Sequence, residues 1–176
     1  QLAQYGVTAS PTILEGPTGY LAAFSPAGRA LRHGWEPGAL AMRRSGLSVK
    51  KYPVCYALHR VVDGMLDLKR AHGFAAGEVE RITGTVSDLN ARVLHAHDPA
   101  DALAAKFSME FACAIAAIEG AVGLHQVTDA QVARADVREL MARVQTDTVP
   151  AGCPEEPNFA LHDRVVVHLR DGGVLD

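Results

Sequence analysis

The chain has 176 residues, of which 48% are apolar and 21% charged, enough to bury the core of one domain or of one domain with an extension. That balance excludes a disordered chain, and no uninterrupted apolar run reaches the length of a membrane-spanning helix. With 17 basic against 20 acidic residues the formal net charge is −3, which gives no electrostatic reason to expect nucleic acid or an anionic membrane as a partner.

Residues 1–6 read as the last turn of a helix closed by Gly6. No basic segment followed by an apolar one marks a secretory leader there. Residues 7–46 are dense in Gly and Pro, which predicts irregular connections with short helical pieces. Residues 47–52 read as a short strand stopped by Pro53. Residues 53–72 read as a helix, with Ala57, Leu58, Val61, Val62, Met65, Leu66 and Leu68 at helical spacing and Gly73 closing it. A helical turn over 76–79 and a strand over 82–86 follow. Asp98 and Pro99 predict the start of a helix running to about Gly120, with Leu103, Phe107, Phe111, Ile115 and Ile118 on one face. A further helix over 132–143 puts Val137, Leu140, Met141 and Val144 on one side. Residues 159–169 read as a strand, and Asp171-Gly172-Gly173 turns the chain back. A chain that begins at a helix end and stops just past a turn is expected to be a piece of a longer protein. The order of elements predicts an α+β fold, a two-layer sandwich of a mostly antiparallel sheet with helices on one face, over residues 47–176.

Cys55, Cys113 and Cys153 are scattered and form no CxxC pair, so reduced thiols in a cytoplasmic protein are the expectation. Cys55 lies at a helix start near lysines, which would lower its pKa, but no positioned base is assured; Cys113 reads as a packing residue. His95 and His97 share one side of an extended segment but lack a third ligand at a recognisable spacing, and His33, His72, His125, His162 and His168 show no partner pattern. No metal or cofactor is expected. Nucleotide-binding, zinc-protease and serine-hydrolase motifs are all missing from the sequence.

Only four of the basic residues are lysines, and two of them, Lys50 and Lys51, are adjacent. They precede a helix whose start has no side-chain oxygen to cap it. Free N–H groups, the positive end of a helix dipole and two ammonium groups make an anion site, with His59 further along as a titratable donor or base. The implied ligand is a small carboxylate or phosphate. The same residues also read as a solvated lysine pair beside a surface histidine. Lys106 and Ser108 flank Phe107 on the next long helix, either as polar contributors to a site or as an ordinary exposed face.

Four segments, in order, resemble the MmgE/PrpD family. Leu14-Glu15-Gly16-Pro17-Thr18-Gly19-Tyr20 is similar to its L-E-G-x-x-G-[FY] segment. Lys50-Lys51-Tyr52-Pro53-Val54-Cys55, with His59 and Val62-Asp63, is similar to K-x-[YF]-P-x-C-x-x-x-H-x-x-[IV]-D. Ala105-Lys106-Phe107-Ser108 resembles the A-K-F-S helix, and 165–172 a strand ending in D-G. The family includes 2-methylcitrate dehydratase, cis-aconitate decarboxylase and iminodisuccinate epimerase. The resemblance implies a large helical domain, absent here, joined to a smaller α+β lid, usually in a homodimer. Residues 1–46 would then be the end of the helical domain and a connection, and 47–176 the lid. It also implies proton removal beside a carboxylate of a di- or tricarboxylate, without an iron–sulfur cluster. Lys50 would match the motif lysine and bind substrate, with Lys51 on a variable position. His59 would orient or exchange a proton, and Lys106 and Ser108 would lie near the site. Some members carry histidine where this chain has Cys55. A small-carboxylate binding or regulatory module without catalysis is the alternative, and a purely structural dimerisation piece a third.

Overall fold

The structure, a computed structural model, describes residues 2–6, 11–17, 19–24, 42–43 and 46–176. The chain divides into two compact units, Gln1–Ser48 and Val49–Asp176. The prediction of irregular connections over 7–46 falls largely outside the described residues.

In the first unit, Leu2–Tyr5 form a 3-10 turn closed by Gly6 at φ 81°, the left-handed geometry that glycine accepts without steric cost. Thr12 and Ile13 begin a tight turn in which Gly16 N–H donates to Thr12 O at 2.8 Å and Tyr20 N–H to Ile13 O at 2.6 Å. A Cβ on Gly19 would stand 2.8 Å from Ile13 O, so the second glycine of the Leu14–Tyr20 segment is required by close backbone approach. Helix α1 is Tyr20–Phe24.

The strand expected at 47–52 is not formed: residues 46–50 have no regular structure, and Leu47 and Val49 are exposed. Nothing among the described residues offers these backbone groups a ladder, and a strand without one is not stable. A 3-10 turn, Tyr56–Leu58, leads into α2, His59–His72. Val61, Val62, Met65 and Leu68 are buried along α2, each worth about 1.5–3 kcal/mol on burial. Gly73 ends α2 in left-handed geometry, its N–H returning to Lys69 O, as the sequence predicted.

Strand β1, Val79–Ser87, is longer than the expected one. Ser87 then caps an unanticipated helix, α3, Asp88–Val93, by accepting from Asn90 N–H. The single long helix expected over 98–119 is two: α4, Ala102–Ala105, and α5, Met109–Glu119. The break has a tertiary cause. Lys106 O accepts from Cys55 N–H at 2.7 Å and Phe107 O from Ala96 N–H at 3.3 Å, so these carbonyls serve distant donors instead of the helical ladder. Leu103 is exposed rather than on the core face. A separate helical turn, α6, Asp129–Val132, ends at the start of the helix expected over 132–143, which is shorter, α7, Ala135–Met141. Between them Arg134 is extended and tied to Glu119, Gln131 and Asp136.

Three further strands complete the sheet: β2, Val144–Val149, unanticipated; β3, Arg164–Leu169, shorter than expected; and β4, Val174–Leu175. The order is β2-β1-β3-β4. β1 pairs parallel with β2 and antiparallel with β3, and β3 pairs antiparallel with β4, so the α+β sheet is mixed. Ile82 and Gly84 of β1 lie opposite Val167 and Val165 on the face that the helices cover. A Cβ on Gly84 would meet Met109 Sδ at 2.8 Å, and one on Gly64 of α2 would meet Val165 at 3.4 Å; these contacts seat α5 and α2 on the sheet. α5 is buried on nearly every side, from Met109 to Ala117, and forms the centre of the core.

Candidate carboxylate site

The second family-like segment folds as a strap laid against the start of α2. Tyr52 is buried at 6% exposure, and its hydroxyl donates to Asp63 Oδ1 at 2.6 Å. Lys51 Nζ donates to the same oxygen at 2.5 Å. Lys50 Nζ donates to Val54 O at 3.0 Å and has no acidic partner among the described residues. The two adjacent lysines therefore differ: one is ion-paired and one is not.

His59 and Asp63 stand four residues apart on α2, on the same face of the helix. That spacing is the sequence signal that could have put Asp63 among the site residues. His59 is 8% exposed. Its ring meets the edges of Tyr52 and Tyr56 at centroid distances of 5.3 and 5.2 Å. Its Nε2 is buried with no hydrogen-bond partner. Burial, and then the Lys50 charge, hold its pKa below the usual histidine value, against the opposing pull of the Val54 and Tyr52 carbonyls and of Asp63. Burial pushes the Asp63 carboxyl up, but the bonds from Lys51 and Tyr52 outweigh it and leave the carboxyl below its ordinary range. Lys51 is raised, chiefly by its bond to Asp63. Tyr52 is raised by burial and then by Asp63.

The helix start expected at Pro53 comes later. Cys55 heads the 3-10 turn without a side-chain cap, and Leu58 heads α2 likewise. His59 is thus the first residue of the α-helix rather than one or two turns along it. The A-K-F-S segment reaches the strap through its backbone, by the Cys55 N–H to Lys106 O bond. Ser108 is fully buried; its Oγ accepts from Phe111 N–H and donates to Glu110 Oε2, which makes it the cap of α5. Glu110 also pairs with His97 Nδ1 at 2.9 Å, and His95 turns to Val93 O. Among the described residues no three His, Cys, Asp or Glu side chains come together as a metal-binding group.

A second cluster adjoins the strap and was not read from the sequence. The Arg60 guanidinium lies 4.6 Å over the Phe159 ring and donates to Ala160 O and Cys153 Sγ. Phe159 in turn packs edgewise on Tyr56. Backbone N–H of Glu156, then Arg60, hold the Cys153 thiol below its ordinary pKa. Two concavities, of about 260 and 420 Å³, are lined by other residues.

The model of the MmgE/PrpD C-terminal domain matches residues 52–176. The chain belongs to the MmgE/PrpD family. The matched residues of this MmgE/PrpD domain hold the sheet, all the helices from α2 onward, His59, Asp63 and the A-K-F-S segment, while Lys50 and Lys51 lie immediately before them. No curated protein matches the chain.

Proposed function

We propose that the chain supplies one side of a carboxylate-binding active site in an enzyme like 2-methylcitrate dehydratase, a lyase that removes a proton beside a carboxylate and eliminates water without an iron–sulfur cluster. The observation that carries this reading is His59: a buried imidazole with an unpartnered Nε2, next to a lysine without an acidic partner. A buried polar atom left unpaired costs about 1–3 kcal/mol, and a bound substrate would remove that cost.

The chemistry follows from the charges. Neutral at pH 7, the imidazole can accept a proton from the carbon beside the carboxylate. The Lys50 ammonium holds that carboxylate and favours the negative charge that builds on it as the proton leaves. Departure of the hydroxyl with a proton from an acid on the facing side completes the loss of water. The facing side would come from the helical domain that the family resemblance implies, in a homodimer, and the chain alone would be inactive.

Coexpression with the helical domain of a MmgE/PrpD protein tests this. Turnover of 2-methylcitrate is expected, and His59→Ala or Lys50→Met should lower kcat/KM at least about 100-fold. Citrate binding without turnover would replace this reading with that of a carboxylate-binding module.

A further inference from the structure

The adjacent lysines suggest a double positive clamp, but Asp63 removes one of the two charges. Its Oδ1 accepts from both Lys51 Nζ and the Tyr52 hydroxyl, and it sits one helical turn after His59 on the same face. The Lys51 and Asp63 side chains are 67% and 45% exposed, and an ion pair that open adds little to stability. Its main physical effect is therefore electrostatic: Asp63 offsets the Lys51 charge and adds a negative charge to the field at His59.

We propose that Asp63 is a specificity-determining residue: by pairing with Lys51 and Tyr52 it leaves Lys50 as the one unpaired ammonium beside His59 among the described residues, so this side of the site matches a single carboxylate group. The inference rests on the reading of Lys50 and His59 given above. Further carboxylates of a di- or tricarboxylate must then be met from the facing side, and the lid fixes which one is gripped. The charged and titratable groups around His59 are Lys50, Asp63, Tyr52 and Tyr56; Arg60, the next residue of α2, turns away to Ala160 and Cys153.

The test is a mutant cycle on the whole chain, with citrate as the probe, by calorimetry at low ionic strength. Asp63→Asn frees Lys51 and is expected to tighten citrate about fivefold. Lys51→Met leaves Asp63 as an uncompensated negative charge and is expected to weaken it by about the same factor. The double variant Lys51→Met/Asp63→Asn is expected to recover wild-type affinity within about twofold. If the double variant stays as weak as Lys51→Met, Lys51 touches the anion itself and the proposal is overturned. Citrate binding indifferent to Lys50→Met would overturn the underlying reading of the site instead. A ligand-free measurement stands beside these. Proton NMR titration of the His59 ring should show a lower midpoint in Asp63→Asn, because Asp63 favours the charged imidazole, and an unmoved midpoint sinks the proposal.

Discussion

His59 and Asp163 each carry buried polar atoms without a hydrogen-bond partner, and burial moves them in opposite directions, since it disfavours whichever form is charged. His59 is lowered, so it is neutral at pH 7 and becomes a cation only on the acid side of the usual 6.5. In the reconstituted enzyme, turnover should fall as pH drops through that lowered value; a rate that keeps rising below it would exclude His59 as the base. Asp163 is raised, by burial and against the Arg60 charge. A carboxyl with a raised folded pKa stabilises the fold below its unfolded value of 3.8, and that contribution is lost as pH rises through the folded value. Asp163→Asn should therefore raise stability at pH 7 and leave it unchanged at pH 3. Urea unfolding at the two pH values measures both. Of these residues, His59 was legible because a lone histidine followed a lysine pair at a helix start. Asp163 was not, because nothing in Leu161-His162-Asp163-Arg164 reports that both carboxylate oxygens end up buried.

The legibility of each element follows from where its hydrogen bonds go. α2 could be read because its apolar stripe and its closing glycine are local. The break between α4 and α5 could not, because Lys106 and Phe107 bond to Cys55 and Ala96, residues that no local pattern connects to them. β2 escaped notice for a related reason: only Val144 of it is buried, so Gln145, Thr146, Asp147 and Thr148 give no apolar alternation. Ser108, a candidate polar contributor to the site, holds the start of α5. Ser108→Ala should cost about 1–2 kcal/mol in urea unfolding, the ordinary value of a lost cap, and a cost near zero would show that Glu110 and water replace it. Gly84 makes the matching prediction between layers. Gly84→Ala pushes a methyl group into the Met109 thioether and should cost about 1–3 kcal/mol. Gly84→Ala with Met109→Ala should cost less than the sum of the single changes, and strict additivity would show that the two do not touch.

At the scale of the whole molecule, the buried apolar core runs from Tyr52 onward and draws nothing from the described residues of the first unit. A chain shortened to residues 49–176 should therefore keep a single cooperative melting transition within a few degrees of the parent, by calorimetry. Loss of that transition would mean that Gln1–Ser48 contributes to the fold of the second unit. The fold class and the family could be read from the sequence because apolar spacing and four short segments carried them. The parallel pairing of β1 with β2 could not, because it depends on a crossover through α3 to α7. Among the described residues, no helix is long and apolar enough to cross a membrane.

The bond from Arg60 to Ala160 O joins residues 100 positions apart, and the strap meets the A-K-F-S segment, from Cys55 to Lys106, across a loop about half as long. Closing such loops requires chain entropy to be lost before the contacts form. The cluster of Arg60, Phe159 and Ala160 is therefore expected to form late in folding, after α2 and the local turns are in place. Substitutions at Arg60 or Phe159 should consequently leave the refolding rate nearly unchanged and hasten unfolding. The lifetime of that folded cluster, rather than the speed with which it is made, is the quantity these residues control.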